Sequence, residues 1–240
     1  MKPWQVLESV KTSDGVLELR RRGERDFLMT IAGRVLMTSV HHKSEDDLAT
    51  VACAALERKR RPRVLLGGLG MGYTLRAALD LLPANAVVTV VDIHPKVVDW
   101  NHGVLGPLAR APIKDPRVRV VVDNVTRVIA NCQPGGYDAI VFDLYEGPHD
   151  AINRERHPLY GNDAIKRTSS ALGPDGVFAV WSEESDPPFE ARLKTNGFTV
   201  EKHRSGTGGR IHVVYLARLS PSGPGRRERA PIVRAGTRRP

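Results

Sequence analysis

Val64-Leu-Leu-Gly-Gly-Leu-Gly-Met-Gly-Tyr-Thr74 runs from an apolar stretch, through four glycines, into residues with helical spacing. The reading is a strand over Val64 to Gly67, a tight turn ending at Gly72, and a helix from Thr74 to Leu82. Glycines permit such a turn and let a ligand approach the backbone, where N–H groups at a helix start can meet its polar atoms. Gly68, Gly70 and Gly72 are therefore candidate ligand-binding positions. A glycine-rich turn of this kind also occurs without a ligand, so its neighbours must decide.

Downstream, strands alternate with helices, the sequence form of a parallel sheet. Further strands are expected at Val87 to Asp92, Val118 to Val122, Tyr137 to Asp143, Val177 to Trp181, Thr199 to His203 and Ile211 to Ala217. Helices are expected at Lys96 to Leu105, Val125 to Asn131, Asp163 to Leu172 and Pro188 to Asn196. Only Ser205-Gly-Thr-Gly-Gly209 separates the last two strands; that is too short for a crossover, so they must pair antiparallel. The predicted fold is α/β, a Rossmann-like seven-stranded mostly parallel sheet with one antiparallel strand, as in class I methyltransferase-like folds.

Upstream, Gln5 to Val10, Val16 to Leu19 and Phe27 to Ile31 are β-prone runs divided by turn residues, with Arg34 to Thr38 as a fourth; they predict a small meander. Ser44, with Asp47 three positions on, is a candidate N-cap for a helix reaching Lys59 through Leu48, Val51, Ala52 and Leu56. The expected organisation is a β-stranded element over 1–42, the Rossmann-like nucleotide-binding and catalytic domain over 43–219 and a disordered basic tail over 220–240.

Composition bounds the class. A chain of 240 residues can bury a substantial core, and no apolar run approaches the roughly 18 residues of a membrane span. Without a signal-like start, the expected setting is the cytoplasm, with no membrane partner. Cys53 and Cys132 lie far apart and lack neighbours at metal-ligand spacing, so no metal is expected. Of the formal charge of +9, the tail holds +5, six arginines against Glu228 alone. Such a tail either makes nonspecific contact with polyanions or is a solvated extension.

The chemistry sits on successive strand tips. Asp92 ends the second strand twenty residues beyond Gly72; it can accept hydrogen bonds from ribose hydroxyls, or cap the helix begun by Pro95. Asp123 and Asn124 end the third strand, where a carboxylate can receive the amino group of adenine or cap the helix from Val125. Glycines and acids on three consecutive tips converge on a nucleotide site. The fourth tip, Asp143-Leu-Tyr-Glu-Gly-Pro148, speaks against a dinucleotide because it sets two carboxylates and a phenol at the ligand's reactive end. The charged, aperiodic loop from His149 to Tyr160 is read as a lid. His94, His102 and His149 are read as surface or capping residues.

The chain resembles the spermidine synthase family of aminopropyltransferases from about Arg34 to Lys202. The resemblance rests on the strand and glycine loop followed by Thr74-Leu-Arg76, on Asp92 with Pro95, on Asp115-Pro-Arg-Val118, on Asp123, on Tyr137-Asp-Ala-Ile-Val-Phe-Asp143 and on Leu159-Tyr160. It implies a donor that is S-adenosylmethionine or its decarboxylated form, held by Asp92 at the ribose and Asp123 at the adenine. It also implies that Asp143 binds and deprotonates an attacking amine. Two departures stand out: the family's acidic residue in the glycine loop is absent, with Leu69 and Met71 there instead, and its Asp-x-x-Asp becomes Asp143-x-x-Glu146.

Displacement at a sulfonium carbon expels a neutral thioether, so the protein must align the partners and free the nucleophile. An amine of pKa about 10.4 is ammonium at neutral pH. Asp143 and Glu146 are expected to bind it and take its proton, while Tyr145 either stacks on the cation or packs under the lid. The expected partner is a small amine or other small acceptor; a homodimer is allowed for. Two other functions remain open at this stage: methyl transfer to an unnamed acceptor, and nucleotide-dependent regulation without catalysis.

Overall fold

The computed structural model describes residues 2–54, 56–150, 155–206 and 211–219. The tail from 220, residues 151–154 of the expected lid and residues 207–210 of the final connection lie outside the described residues.

Four antiparallel strands, β1 (Gln5–Thr12), β2 (Gly15–Arg22), β3 (Asp26–Ile31) and β4 (Arg34–Thr38), form a sheet in that order. Alternation in β2 and β3 buries Leu17, Leu19, Phe27, Met29 and Ile31 on one face. That face joins the same apolar cluster as Leu48 and Leu56 and as Leu66, Leu75 and Val90 of the parallel part. The meander is thus packed onto the glycine-loop side of the fold.

The helix α1 (Lys43–Cys53) follows. Two expectations are corrected here. His42, not Ser44, is the N-cap, and Ser44 instead donates its hydroxyl to Glu45 at 2.6 Å. The helix also stops at Cys53 rather than Lys59. Beyond it the chain turns, with Leu56 N–H on Cys53 O and Lys59 N–H on Leu56 O, so that Leu56 stays buried without a helix. Lys59 then pairs with Asp138 at 2.7 Å, anchoring the chain where the parallel sheet begins.

From here strands β5 (Arg63–Gly67), β6 (Val87–Asp92), β7 (Val118–Val122), β8 (Tyr137–Phe142), β9 (Leu172–Ser182), β10 (Phe198–Ser205) and β11 (His212–Leu219) build one sheet in the order β10-β11-β9-β8-β5-β6-β7. β11 runs antiparallel to both neighbours and the remaining pairs are parallel. The central strands β5 and β8 are buried nearly end to end, as expected of parallel strands covered on both faces. Helices α2 (Tyr73–Leu81), α3 (Pro95–His102), α4 (Val125–Ala130), α5 (Asn162–Ala171) and α6 (Pro187–Thr195) complete the crossovers. α3 ends three residues before the expected Leu105, because Gly103 leaves helical geometry and a short 3-10 turn, Gly106–Ala109, follows.

Strand order reverses between β5 and its neighbours β8 and β6, so a crevice opens at their C-terminal ends. Among the described residues no helix is long and apolar enough to cross a membrane.

Candidate active site

A cavity of about 350 Å³ occupies that crevice, a size suited to a small-molecule ligand. Its floor is the glycine loop. Gly68 has φ +92°, and a Cβ there would lie 2.0 Å from the carbonyl oxygen of Asp143, so no side chain fits between the tips of β5 and β8. Gly70 has φ +52° and faces Met37 of β4, whose sulfur accepts the Met71 N–H at 3.1 Å. Gly68 and Gly70 line the cavity, whereas Gly72 is the α2 N-cap and packs against Pro112 and Asn101, away from it.

At the β6 tip, Asp92 accepts the N–H of Leu69 at 3.0 Å through Oδ2 and that of His94 at 2.9 Å through Oδ1. It ties the glycine loop to the next strand. Burial pushes its carboxyl above the usual range while these N–H groups pull it back. The N-cap of α3 is His94, so Asp92 braces the turn before the helix without capping it. Each carboxylate oxygen has two lone pairs, and the carboxylate still faces the cavity with acceptor capacity to spare.

At the β7 tip, Asp123 pairs with Arg127 at 2.5 Å, which holds its carboxyl below the usual range. The cap of α4 belongs to Asn124, whose side chain accepts from Thr126 N–H at 2.9 Å. Both residues line the cavity.

At the β8 tip, Asp143 is half-buried. Thr74 Oγ1 donates to its Oδ2 at 2.5 Å. Burial, helped by the charge of Glu45 and opposed by the Thr74 hydrogen bond, pushes its carboxyl up to about 7. Tyr145 and Glu146 follow in the same wall. Glu146 is fixed through its backbone carbonyl, which accepts the Tyr160 hydroxyl at 2.6 Å, and Tyr160 in turn stacks on His157.

The sequence reading brings Gly68, Gly70, Asp92, Asp123, Asn124, Asp143, Tyr145 and Glu146 to one cavity. It missed Asp14 of the β1–β2 turn, Glu45 of α1, His157 of the loop after β8, and Trp181 at the end of β9. Glu45 is only 8% exposed and its carboxyl is raised by burial, yet it lines the cavity beside Asp143. His94, expected at the surface or in a cap, takes the cap position but is buried, 9% exposed.

Six carboxylates line the cavity: Asp14, Glu45, Asp92, Asp123, Asp143 and Glu146. Among the described residues no lysine or arginine does, and His94 and His157 are the basic side chains there. Arg34, whose charge reaches the Tyr145 phenol, stands outside the lining. Among the described residues no group of three His, Cys, Asp or Glu side chains could hold a metal ion. The site suits a ligand with cationic centres on an apolar frame.

Comparison with known proteins points to one family. A family model for the spermine/spermidine synthase domain matches residues 44–192. A polyamine aminopropyltransferase of Aeropyrum pernix is 32% identical over 118 residues, 49% of this chain and 36% of that protein. Putrescine N-methyltransferase 1 of Nicotiana tabacum is 30% identical over 121 residues, 50% of this chain and 30% of that protein. The chain therefore spans about a third of the length of these two relatives. A spermidine synthase structure from Thermotoga maritima superposes with a TM-score of 0.70 at 17% identity, covering 90% of this chain and 73% of that one.

Proposed function

The chain belongs to the spermine/spermidine synthase domain family, and from that premise we propose that it transfers an aminopropyl group from decarboxylated S-adenosylmethionine to a primary amine of a small polyamine. The observation that carries this reading is the charge of the cavity: among the described residues, six acids line it and no lysine or arginine does. A sulfonium donor and an ammonium acceptor are both cations. An intact donor would bring a carboxylate into this field with no lysine or arginine among the described lining residues to receive it, so the decarboxylated donor is favoured.

Asp92 and Asp123, with Gly68, Gly70 and Asn124 around them, are the residues that would hold the nucleoside. When bound, the donor supplies a carbon activated by a sulfonium whose leaving group departs neutral. Asp143 then has two tasks: its carboxylate pairs with the acceptor's ammonium ion, and it takes one proton from that nitrogen, freeing the lone pair for the new C–N bond. A carboxyl poised near 7 is matched to this exchange at neutral pH. Tyr145 and Glu146 flank the same wall, Tyr145 offering its ring face to the cation. The same proposal includes a cytoplasmic setting, a homodimer and nonspecific contact of the basic C-terminal residues with polyanions.

One observation favours methyl transfer as a second reading. The glycine loop carries Leu69 and Met71 in place of an acid that would meet an aminopropyl end, and both side chains are buried in the apolar core. The two chemistries separate in one experiment: the purified protein is incubated with each donor and a panel of di- and polyamines, and the products are weighed by mass spectrometry. An amine heavier by one aminopropyl group supports the proposal. A methylated amine formed only from intact S-adenosylmethionine overturns it.

A further inference from the structure

Building on the amine-acceptor reading above, we propose that Glu45 is a substrate-binding residue whose carboxylate, with Asp143 and the Trp181 indole, receives the reacting primary ammonium ion of the acceptor. Glu45 lies in the first turn of α1, far in sequence from the strand tips, yet its side chain is turned into the same cavity as Asp143. An acid in a first helical turn ordinarily stays in water, where the helix N-terminus already favours it. This one has given up that solvent. Its hydrogen-bond partner from another side chain is the neighbouring Ser44, and among the described residues no lysine or arginine pairs with it.

The groups that face it are His42 at the α1 N-cap, Tyr73 of α2, Asp143 of β8 and His212 of β11. A buried and a half-buried carboxylate so placed repel one another unless a proton or a cation lies with them. A ligand cation satisfies both acids at once.

Trp181 supplies an independent observation. It ends β9 beside the β8 tip, tilts against His212 with ring centroids 5.0 Å apart, and lines the cavity. Its indole N–H is buried without a hydrogen-bond partner among the described residues and, being a donor, offers nothing to an ammonium ion, so what the side chain brings to a cation is its ring. An indole beside two carboxylates is a recognition surface for an alkylammonium ion, combining charge pairing with an aromatic wall. A neutral alcohol of the same length gains neither.

Burial makes both acids hold protons more firmly than free carboxylates do, and an incoming ammonium ion favours their ionised forms, so binding and proton release are coupled. The test is calorimetric titration of the full chain with 1,4-diaminobutane in the presence of saturating 5′-methylthioadenosine, in two buffers of different ionisation enthalpy. The wild-type protein should release protons on binding. In Glu45→Gln the diamine should bind about tenfold or more weakly with that release diminished, while 5′-methylthioadenosine alone binds as before. Glu45→Asp should recover part of the loss. Equal diamine affinity in wild type and Glu45→Gln overturns the role of Glu45 and leaves the acceptor reading standing. Equal weakening of both ligands makes Glu45 a structural residue and also overturns the proposal. A wild-type protein that binds the nucleoside but no amine sinks the proposal and the acceptor reading together.

Discussion

Thr74 Oγ1 donates a hydrogen bond to Asp143 Oδ2 at 2.5 Å, joining the first turn of α2 to the tip of β8. The bond favours the ionised carboxylate against the burial and the Glu45 charge that oppose it. Thr74→Val removes it and should raise the Asp143 carboxyl above about 7. A hydrogen bond to a charged group is worth roughly 1.5–3 kcal/mol, so the acid limb of the kcat profile should move alkaline by about one pH unit or more. Activity lost at pH 7 should return at higher pH. A profile that keeps its shape would show that Asp143 is not the titrating base.

The same carboxyl makes folding stability depend on pH. A group whose folded pKa is raised binds more protons folded than unfolded, so stability falls as pH climbs from the unfolded value of 3.8 to the folded value of about 7. Glu45 and Asp92 are raised too and add the same sign. Asp115, held down to about 2 by Arg117, and Asp138 are ionised in both states above pH 5 and do not oppose it. His157, whose pKa is lowered by burial, works the other way below 6.5. The ligand-free protein should therefore melt at a higher temperature at pH 5 than at pH 8, and Asp143→Asn should flatten the difference. Calorimetric scans across that range decide it, and an unchanged slope in the variant would remove Asp143 as the cause.

How much of this site is legible before folding depends on whether its parts are local. Gly68, Gly70, Asp92, Asp123 and Asp143 sit at strand ends, where a switch of hydrophobic period marks the position and the sheet guarantees convergence. Glu45 carries no such mark. It lies in a helix whose start was misread by two residues, and only the packing of α1 against the β8 and β9 side of the sheet brings it to Asp143. Asp14 and Trp181 arrive from a hairpin turn and a strand end that bear no motif. The end of α1 was equally opaque, because Leu56 continues the apolar spacing while lying in a turn.

Gly68 is a position where backbone contact, not flexibility, forbids substitution. Gly68→Ala would set a methyl 2.0 Å from the Asp143 carbonyl oxygen, with φ already at +92°. The tips of β5 and β8 must then separate, at a cost of about 3 kcal/mol or more, and Asp143 moves with them. Gly23→Ala is the control: its φ is +65° but nothing lies within 4 Å, so only the backbone term of about 1–2 kcal/mol applies. Urea denaturation of the two variants should rank them in that order, with activity abolished only in the first. Equal losses would mean that the β5–β8 contact is not limiting.

Asp92 braces the loop and faces the cavity, so its removal has two readouts. Asp92→Ala should weaken 5′-methylthioadenosine binding by at least about 1 kcal/mol, a conservative bound on the roughly 1.5–3 kcal/mol of a hydrogen bond to a charged group. It should also lower the melting temperature, since the N–H groups of Leu69 and His94 lose their acceptor. Asp92→Asn keeps one carbonyl oxygen and should recover stability more fully than affinity. A variant that melts early yet binds the nucleoside with wild-type affinity would confine Asp92 to bracing.

The missing acid of the glycine loop is built into the packing of this chain. Met71 is fully buried in the core shared with the N-terminal sheet, and its N–H is taken by the sulfur of Met37. Met37 also lies against Gly70, where an added Cβ would come within 2.7 Å of the sulfur. Met71→Asp would therefore set a carboxylate in an apolar core without a cation, and should cost about 3 kcal/mol or more or force the side chain to take up a proton. Met71→Leu preserves volume and should cost less than about 1.5 kcal/mol. Thermal melts at pH 5 and pH 8 separate the cases: the Asp variant should be the less stable at both, and worse at the higher pH, where its carboxyl must ionise on unfolding but not in the core. A Met71→Asp protein as stable as wild type, with improved use of the decarboxylated donor, would instead show that the side chain can turn into the cavity.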